Sequence, residues 1–125
     1  MTRDEFDVYC SHLKATTHIV QWGDASVWKV GGKVFAIAPA TTAAADNVQV
    51  SFKCSPSLYD ILQELDSFHP APYLARGNWI QTKEPDAISD EDLKDYIQQS
   101  YQIIVAKLTK AQRKELGLDS LNETK

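Results

Sequence analysis

Apolar residues first recur along the chain at helical spacing. The intervals are three or four residues, and the positions are Phe6, Cys10 and Leu13. Residues spaced in this way lie on one face of an α-helix. Thr2 and Glu5 precede this stripe at the spacing of a capping box, in which each satisfies a free backbone amide of the other. The pattern predicts a first helix that begins after Thr2 and ends near residue 14.

Further along, the period changes from helical to alternating. Between residues 27 and 38, two β-type runs flank Gly31-Gly32. Tight hairpin turns need positive φ at both central positions, and glycine adopts this conformation without steric cost. A hairpin closed by this turn pairs Trp28 with Phe35. One face then carries Trp28, Val30, Phe35 and Ile37, and the other, smaller or more polar face carries Val27, Lys29, Val34, Ala36 and Ala38.

The remaining pattern predicts three more strands and three more helices. The strands cover residues 18–22, 48–53 and 78–83. Ser55-Pro56 is typical of a helix start, and the buried stripe of that helix is predicted to be Leu58, Ile61, Leu62 and Leu65. Ser89 caps a long helix that ends near Leu108, with Leu93, Ile97, Tyr101, Ile104 and Leu108 on one side. Thr109 caps a short helix that ends at Leu116-Gly117.

This order of elements predicts the fold class. Strands and helices do not alternate as a parallel βαβ array requires. We therefore expect an α+β fold, in which an antiparallel sheet of four to five strands forms a meander with helices packed on one face. A single domain should cover residues 1–118, and residues 119–125 are predicted to be a flexible tail.

Composition and charge exclude several classes of protein. The chain has 125 residues and a net charge of −4, whereas a general nucleic-acid coat protein is strongly basic. A local basic patch remains compatible with this charge, because binding depends on the field at one face. The first residues include acids where a signal peptide carries an apolar run. No apolar stretch approaches the roughly 18 to 20 residues of a membrane helix. We expect a cytoplasmic protein without a membrane partner.

The sequence offers no clear catalytic or metal-binding motif. Cys10 and Cys54 form no CxxC pair and have no activating neighbours, so they are interpreted as structural thiols. The three histidines, His12, His18 and His69, lack zinc-ligand spacing. Acids at the predicted helix starts suit the helix dipole. We therefore expect no catalytic residue, no metal site, no cofactor and no enzymatic activity.

The basic residues are the candidates for binding. Residues 25–53 carry Lys29, Lys33 and Lys53 against Asp46 alone, and Arg76 and Lys83 follow later. A second basic patch is Lys107, Lys110, Arg113 and Lys114, with no acid among residues 107–114. These side chains could neutralise phosphates, or they could form a solvated surface. The segment 73–79 adds two aromatic residues and one arginine, which could grip a partner or pin a loop to the core.

Five segments together resemble the MmcQ/YjbR family. They are the opening Met-Thr-Arg-Asp-Glu-Phe, the hairpin Val-Trp-Lys-Val-Gly-Gly-Lys-Val-Phe-Ala, Val-Ser-Phe-Lys-Cys-Ser-Pro, Pro-Ala-Pro-Tyr…Trp, and Ser-Tyr-Gln-Ile-Ile-Val-Ala-Lys-Leu. The resemblance implies a compact fold similar to frataxin-like (CyaY) and secretion-chaperone-like domains. It also implies DNA binding through a "double wing" of β-hairpins. The Lys29–Lys33 hairpin would be the first wing, and Arg76 and Lys83 would lie at or near the second.

The functional hypothesis from sequence is therefore a DNA-binding module that contacts phosphates weakly and in a salt-dependent manner. The contact surface would be the lysine-bearing hairpin and the polar face of the sheet. The alternatives are a protein- or peptide-binding adaptor, by resemblance to secretion chaperones, and a metal-handling protein, by resemblance to frataxin.

Overall fold

The computed structural model describes residues 1–40, 46–71, 77–84, 86 and 88–118. Four helices and six strands lie within them. In chain order they are α1 (Arg3–Ser11), β1 (Thr16–Gln21), β2 (Ala25–Val30), β3 (Lys33–Ala38), β4 (Ser51–Lys53), α2 (Pro56–Leu62), β5 (Phe68–Pro70), β6 (Trp79–Thr82), α3 (Asp90–Lys107) and α4 (Lys110–Glu115). The predicted tail, residues 119–125, lies outside the described residues.

The strands form one antiparallel sheet with the order β1-β2-β3-β4-β6-β5. The predicted α+β class and antiparallel sheet are confirmed, although the sheet has one strand more than the upper limit predicted. The additional strand is β5, which the prolines of that region obscured. Because β5 lies at an edge of the sheet, Pro70 fits there without removing a ladder hydrogen bond from the interior.

Side-chain caps define the helix starts as the sequence predicts. The Thr2 hydroxyl accepts from the Glu5 amide, and the Glu5 carboxylate accepts from the Thr2 amide at 2.8 Å. These hydrogen bonds from Thr2 lower the pKa of Glu5. Thr109 and Gln112 form the same capping box at the start of α4, and at the start of α3 the Ser89 hydroxyl accepts from the Asp92 amide. The first helix ends at Ser11, three residues earlier than predicted.

Helices α1, α2 and α3 contribute to one core on one face of the sheet, and Leu116 and Leu118, which follow α4, also pack in it. The predicted stripe of α3 is buried throughout, from Leu93 to Leu108. The predicted stripe of α2 is confirmed only in part: Leu62 is buried and Leu58 is half-buried against the core, whereas Ile61 is 59% exposed and Leu65 is 48% exposed. This helix is only seven residues long, so Leu65 lies beyond its end and out of helical phase.

The Gly31-Gly32 turn of the β2–β3 hairpin is confirmed. Val30 pairs with Lys33 across the turn, and the two glycines have φ values of +58° and +80°. Positive φ at both central positions is what a tight turn with the twist of the flanking strands requires.

A β-bulge changes the register beyond this turn. Trp28 pairs with Ala36, and the predicted pairing of Trp28 with Phe35 is wrong. Phe35 is the extra residue of the bulge, which a prediction from alternation alone does not include.

The bulge also exchanges the faces of the residues that follow it on β3. Ile37 was predicted to share a face with Trp28, but it opposes Val27 on the other face. Ala36 and Ala38 were predicted on that second face and instead lie in the helix-facing core. A shift of one residue reverses every later side chain in a strand, because the side-chain period is two.

Candidate nucleic-acid interface

The hairpin turn and several strand ends that carry lysines lie at one end of the sheet. Thr16, the first residue of β1, pairs with Val30 beside the hairpin turn, so the chain from α1 enters the sheet at this end. Lys33 starts β3 next to the same turn and is exposed. Lys53 ends β4, which runs antiparallel to β3 and therefore also finishes near the hairpin.

The C-terminal end of α3 packs directly against the hairpin turn. A Cβ atom built on Gly31 would lie 2.6 Å from Cδ2 of Leu108, the residue that caps α3. A side chain at position 31 would clash with Leu108, whereas glycine permits this approach, which places the segment 107–114 beside the hairpin. Lys33 of the hairpin and the segment 107–114, which are more than 70 residues apart in sequence, therefore lie at the same end of the molecule.

Two further contacts complete this cluster. Burial and the neighbouring Lys107 ammonium lower the pKa of Lys53, whose ammonium donates to the Gly77 carbonyl oxygen. A Cβ on Gly117 would lie 3.3 Å from Nζ of Lys14, which places Lys14 beside the residues that follow α4. We call this region the basic end, and its lysines are Lys14, Lys33, Lys53, Lys107, Lys110 and Lys114.

Sequence reasoning missed Lys14 as a member of the basic end. Its position after the last turn of the first helix was visible, but its neighbours come from the other end of the chain. Only the packing of the segment around Gly117 against it shows the association.

Lys29 and Arg113 differ from the other candidates. Lys29 is half-buried on the second face of the sheet. Arg113 is also half-buried, and its Nη1 donates to the Leu108 carbonyl oxygen at 2.6 Å. That hydrogen bond joins α4 to the end of α3, so Arg113 holds the helix junction in place rather than presenting its whole guanidinium to solvent.

The structure does not bring Lys83 to the basic end. Lys53 pairs with Trp79, and β6 runs from there toward the opposite end of the sheet. Lys83 is four residues beyond Trp79, a distance of about 13 Å along a strand. Arg76 and most of the aromatic segment 73–79 lie outside the described residues.

The second face of the sheet is less polar than predicted. Its middle is an apolar cluster of buried side chains, namely Ala25, Val27, Ile37, Ala71 and Trp79. Polar residues such as Lys29 remain at its margins. The prediction of a polar surface across the centre of this face is therefore wrong. The candidate interface is instead the basic end.

Acidic residues gather at the opposite end. The first turns of α1 and α3 supply Asp4, Glu5, Asp90, Glu91 and Asp92. The two helix starts are adjacent, because the N-terminal ammonium of Met1 lies 2.8 Å from Oδ1 of Asp90. Asp24 follows β1 at this end of the sheet. Since α3 has 18 residues, about 27 Å separate its acidic start from its basic finish.

A groove lies at the acidic end. It has a volume of about 440 Å³ and lies between α1 and the start of α3, where Asp4, Glu5 and Asp90 line it. Its carboxylates would repel a phosphate. This groove is therefore separate from the candidate interface.

The cysteines and the buried serine, which could act as nucleophiles, lie inside the fold. Cys10 and Cys54 are buried, and burial raises the pKa of both thiols, that of Cys54 to about 12. Ser26 is fully buried, its hydroxyl donates to Asp7 Oδ1 at 2.5 Å, and His18 Nε2 lies 2.8 Å from the same hydroxyl oxygen. The described residues contain no cluster of three metal-ligating side chains.

Over the described part of the chain, none of the helices is both long and apolar enough to traverse a bilayer.

Comparison with known proteins identifies relatives by sequence and by fold. The family model described as YjbR matches residues 11–103. The crystal structure of a Deinococcus radiodurans protein with a DUF419 domain superposes with a TM-score of 0.81 at 26% identity, covering 94% of this chain and 88% of that one. A Pseudomonas syringae protein shares the fold with a TM-score of 0.66 at 18% identity, covering 82% and 98% of the two chains. No curated protein matches.

Proposed function

Because the chain belongs to the YjbR family and concentrates its lysines at one end, we propose that it is a non-enzymatic module that binds DNA through phosphate contacts. The observation that carries the proposal is the contact of Gly31 with Leu108. It combines the hairpin lysine and the α3–α4 lysines into one surface. Neither group alone offers more than a few charges.

The charge distribution supports binding by a molecule whose net charge is −4. Phosphate binding responds to the local potential, and charges separated by more than the Debye length of about 10 Å at 0.1 M salt are largely screened. The acids at the start of α3 are about 27 Å from its end. They therefore weaken the attraction at the basic end only slightly.

The mechanism is neutralisation of phosphates with release of counterions. Lys33, Lys107, Lys110 and Lys114 are exposed, and a lysine ammonium is a flexible point charge. These side chains suit the DNA backbone better than base edges, which bidentate arginine or amide groups read. We therefore expect weak binding with little sequence preference, in which the hairpin acts as one wing and α4 supplies the second contact.

The test compares charge reversals at the two ends of the molecule. Anisotropy of a labelled duplex is titrated with the protein at 50 and 200 mM salt. K110E/K114E should weaken binding at least about tenfold and reduce the salt slope by about 0.9 per lost phosphate contact. K83E/K94E makes the same change in net charge away from the basic end, and it should alter affinity only a few-fold.

Two results would contradict the proposal. One is the absence of duplex binding by the parent protein at 50 mM salt. The other is an equal loss of affinity in both double variants, since that result would assign binding to net charge alone. Circular dichroism of both variants establishes that each remains folded.

The adaptor and metal-handling alternatives are tested separately. A protein partner recovered from a nuclease-treated extract by the parent protein, and equally by K110E/K114E, would favour an adaptor. Heat on titration with iron or manganese would favour metal handling.

A further inference from the structure

The edge strand β1 has features of a pairing surface. It lies at the end of the sheet order, and its outer side has no strand partner within residues 1–40, 46–71, 77–84, 86 and 88–118. Its six residues are Thr-Thr-His-Ile-Val-Gln, with no lysine, acid or proline. Edge strands that must stay single usually carry a charge, a proline or a bulge to prevent pairing. This edge has none of these.

The other edge of the sheet is protected in the expected manner. The strand β5 has only three residues, and the last of them is Pro70. A short strand with a proline offers few backbone groups to a partner. The two edges therefore differ, and only β1 presents a long, uncharged row of backbone donors and acceptors.

Apolar side chains surround this edge on both sides. Ile19 is 43% exposed and Val20 is 49% exposed, and as neighbours in a strand they point to opposite faces of the sheet. Trp22, just beyond the strand, is 62% exposed. A strand added to this edge would cover exposed apolar side chains on both faces of the sheet. An exposed tryptophan is also a residue type that concentrates binding energy in interfaces.

Charge identifies the occupant as a second copy of the chain. Lys14 precedes β1 at the basic end of the molecule, and Asp24 follows it at the acidic end. When two identical strands pair antiparallel about their middle, the start of one lies beside the end of the other. Lys14 of each copy then approaches Asp24 of its partner, whereas parallel pairing would align like charges.

We propose that two copies of this chain pair through β1 in an antiparallel, twofold-symmetric arrangement that joins their sheets. The interface is isologous, since each strand contacts the same strand of the other copy. It buries Ile19, Val20 and Trp22 and forms two equivalent Lys14–Asp24 ion pairs. The dimer places its two basic ends at opposite ends of the joined sheet, and its tests use the protein without DNA, so they do not depend on the proposed function.

The first test measures mass in solution without DNA. Sedimentation equilibrium of the full chain across a concentration series should show a reversible dimer. I19K places a charge in the middle of the edge strand and should give a monomer at the same concentrations. I61K is the matched control, because it makes the same substitution at an exposed apolar site on α2 and should leave the dimer unchanged.

The second test exchanges the proposed ion pair and does not rely on the strand centre. K14E and D24K should each raise the dimer dissociation constant about tenfold, since each single change affects both symmetric pairs. The double variant K14E/D24K should restore the parent value to within about threefold. Circular dichroism verifies the fold of each variant.

The outcomes separate this inference from the proposed function. A parent protein that is monomeric throughout the series, a dimer insensitive to I19K, or a double variant weaker than both singles would overturn the pairing. A monomeric parent that captures an extended peptide at this edge would overturn it too, in favour of a peptide partner. Duplex binding does not enter any of these readouts.

Discussion

The Ser100 hydroxyl on α3 donates to the Phe35 carbonyl oxygen at 2.6 Å and completes the sheet where β3 bulges. The same hydroxyl accepts from the Lys53 amide at 2.9 Å. The β3–β4 ladder pairs Ala36 with Phe52 and has no direct pair at the next position toward the hairpin. A helix side chain therefore takes the place of one ladder hydrogen bond, and it does so next to the basic end.

Removing this hydroxyl should destabilise the fold. S100A leaves a buried carbonyl and a part-buried amide without their partner, and each unsatisfied group costs about 1–3 kcal/mol. We expect the free energy of unfolding, measured in urea, to fall by about 2–4 kcal/mol. Q98A, at an exposed position on the same helix, should change it by less than about 1 kcal/mol. An S100A effect as small as that of the control would show that the bulge does not depend on Ser100.

The close approach of the hairpin to α3 predicts different costs for the two turn glycines. G32A introduces only the strain of a positive φ, about 1–2 kcal/mol, because nothing lies within 4 Å of its added Cβ. G31A adds a clash with the buried side chain of Leu108 and should cost at least about 1 kcal/mol more.

A double-mutant cycle checks the source of that difference. In the background of L108A, the additional cost of G31A over G32A should largely disappear, because the clashing methyl groups are gone. Equal costs for the two glycines in the parent protein would mean that the α3 end does not contact the turn.

Asp7 joins α1 to the β1–β2 hairpin. Its Oδ1 accepts from Ser26 Oγ at 2.5 Å and from Trp28 Nε1 at 2.9 Å. D7A should lower the free energy of unfolding by about 1–3 kcal/mol, because both donors lose a partner and Ser26 is fully buried. D4A, in the same helix but exposed, should cost less than about 1 kcal/mol. If the two variants have similar stability, Asp7 does not anchor the helix.

Lys53 should react with acylating reagents more readily than an ordinary lysine of comparable exposure. Burial and Lys107 lower the pKa of Lys53 from its usual 10.5, so at any pH below that value a larger fraction of its amine is neutral and nucleophilic. Limited acetylation at pH 8, read by mass spectrometry, measures the rate. K107Q should slow the acetylation of Lys53 and leave that of Lys83 unchanged. An unchanged rate at Lys53 would show that Lys107 does not lower the pKa of Lys53.

Local patterns determined most elements before any tertiary contact was known. The capping box of Thr2 and Glu5, the Gly31-Gly32 turn and the stripe of α3 depend on residues close in sequence, and all three are confirmed. The failures have non-local causes. At the bulge, the Phe35 carbonyl oxygen accepts from Ser100, which is 65 residues away, and alternation within the strand does not reveal this contact.

The sequence alone therefore established an α+β domain with an antiparallel sheet, because capping, turn chemistry and periodicity are short-range effects. The sequence also identified two separate groups of lysines, but it did not predict how these groups lie relative to each other in space. Only the tertiary structure decided that these groups share one end, while the acids at the starts of α1 and α3 share the other. The reason is that α3 runs along the strands toward the hairpin and its capping residue, Leu108, packs on the Gly31 position of the turn, where an added Cβ would lie 2.6 Å away.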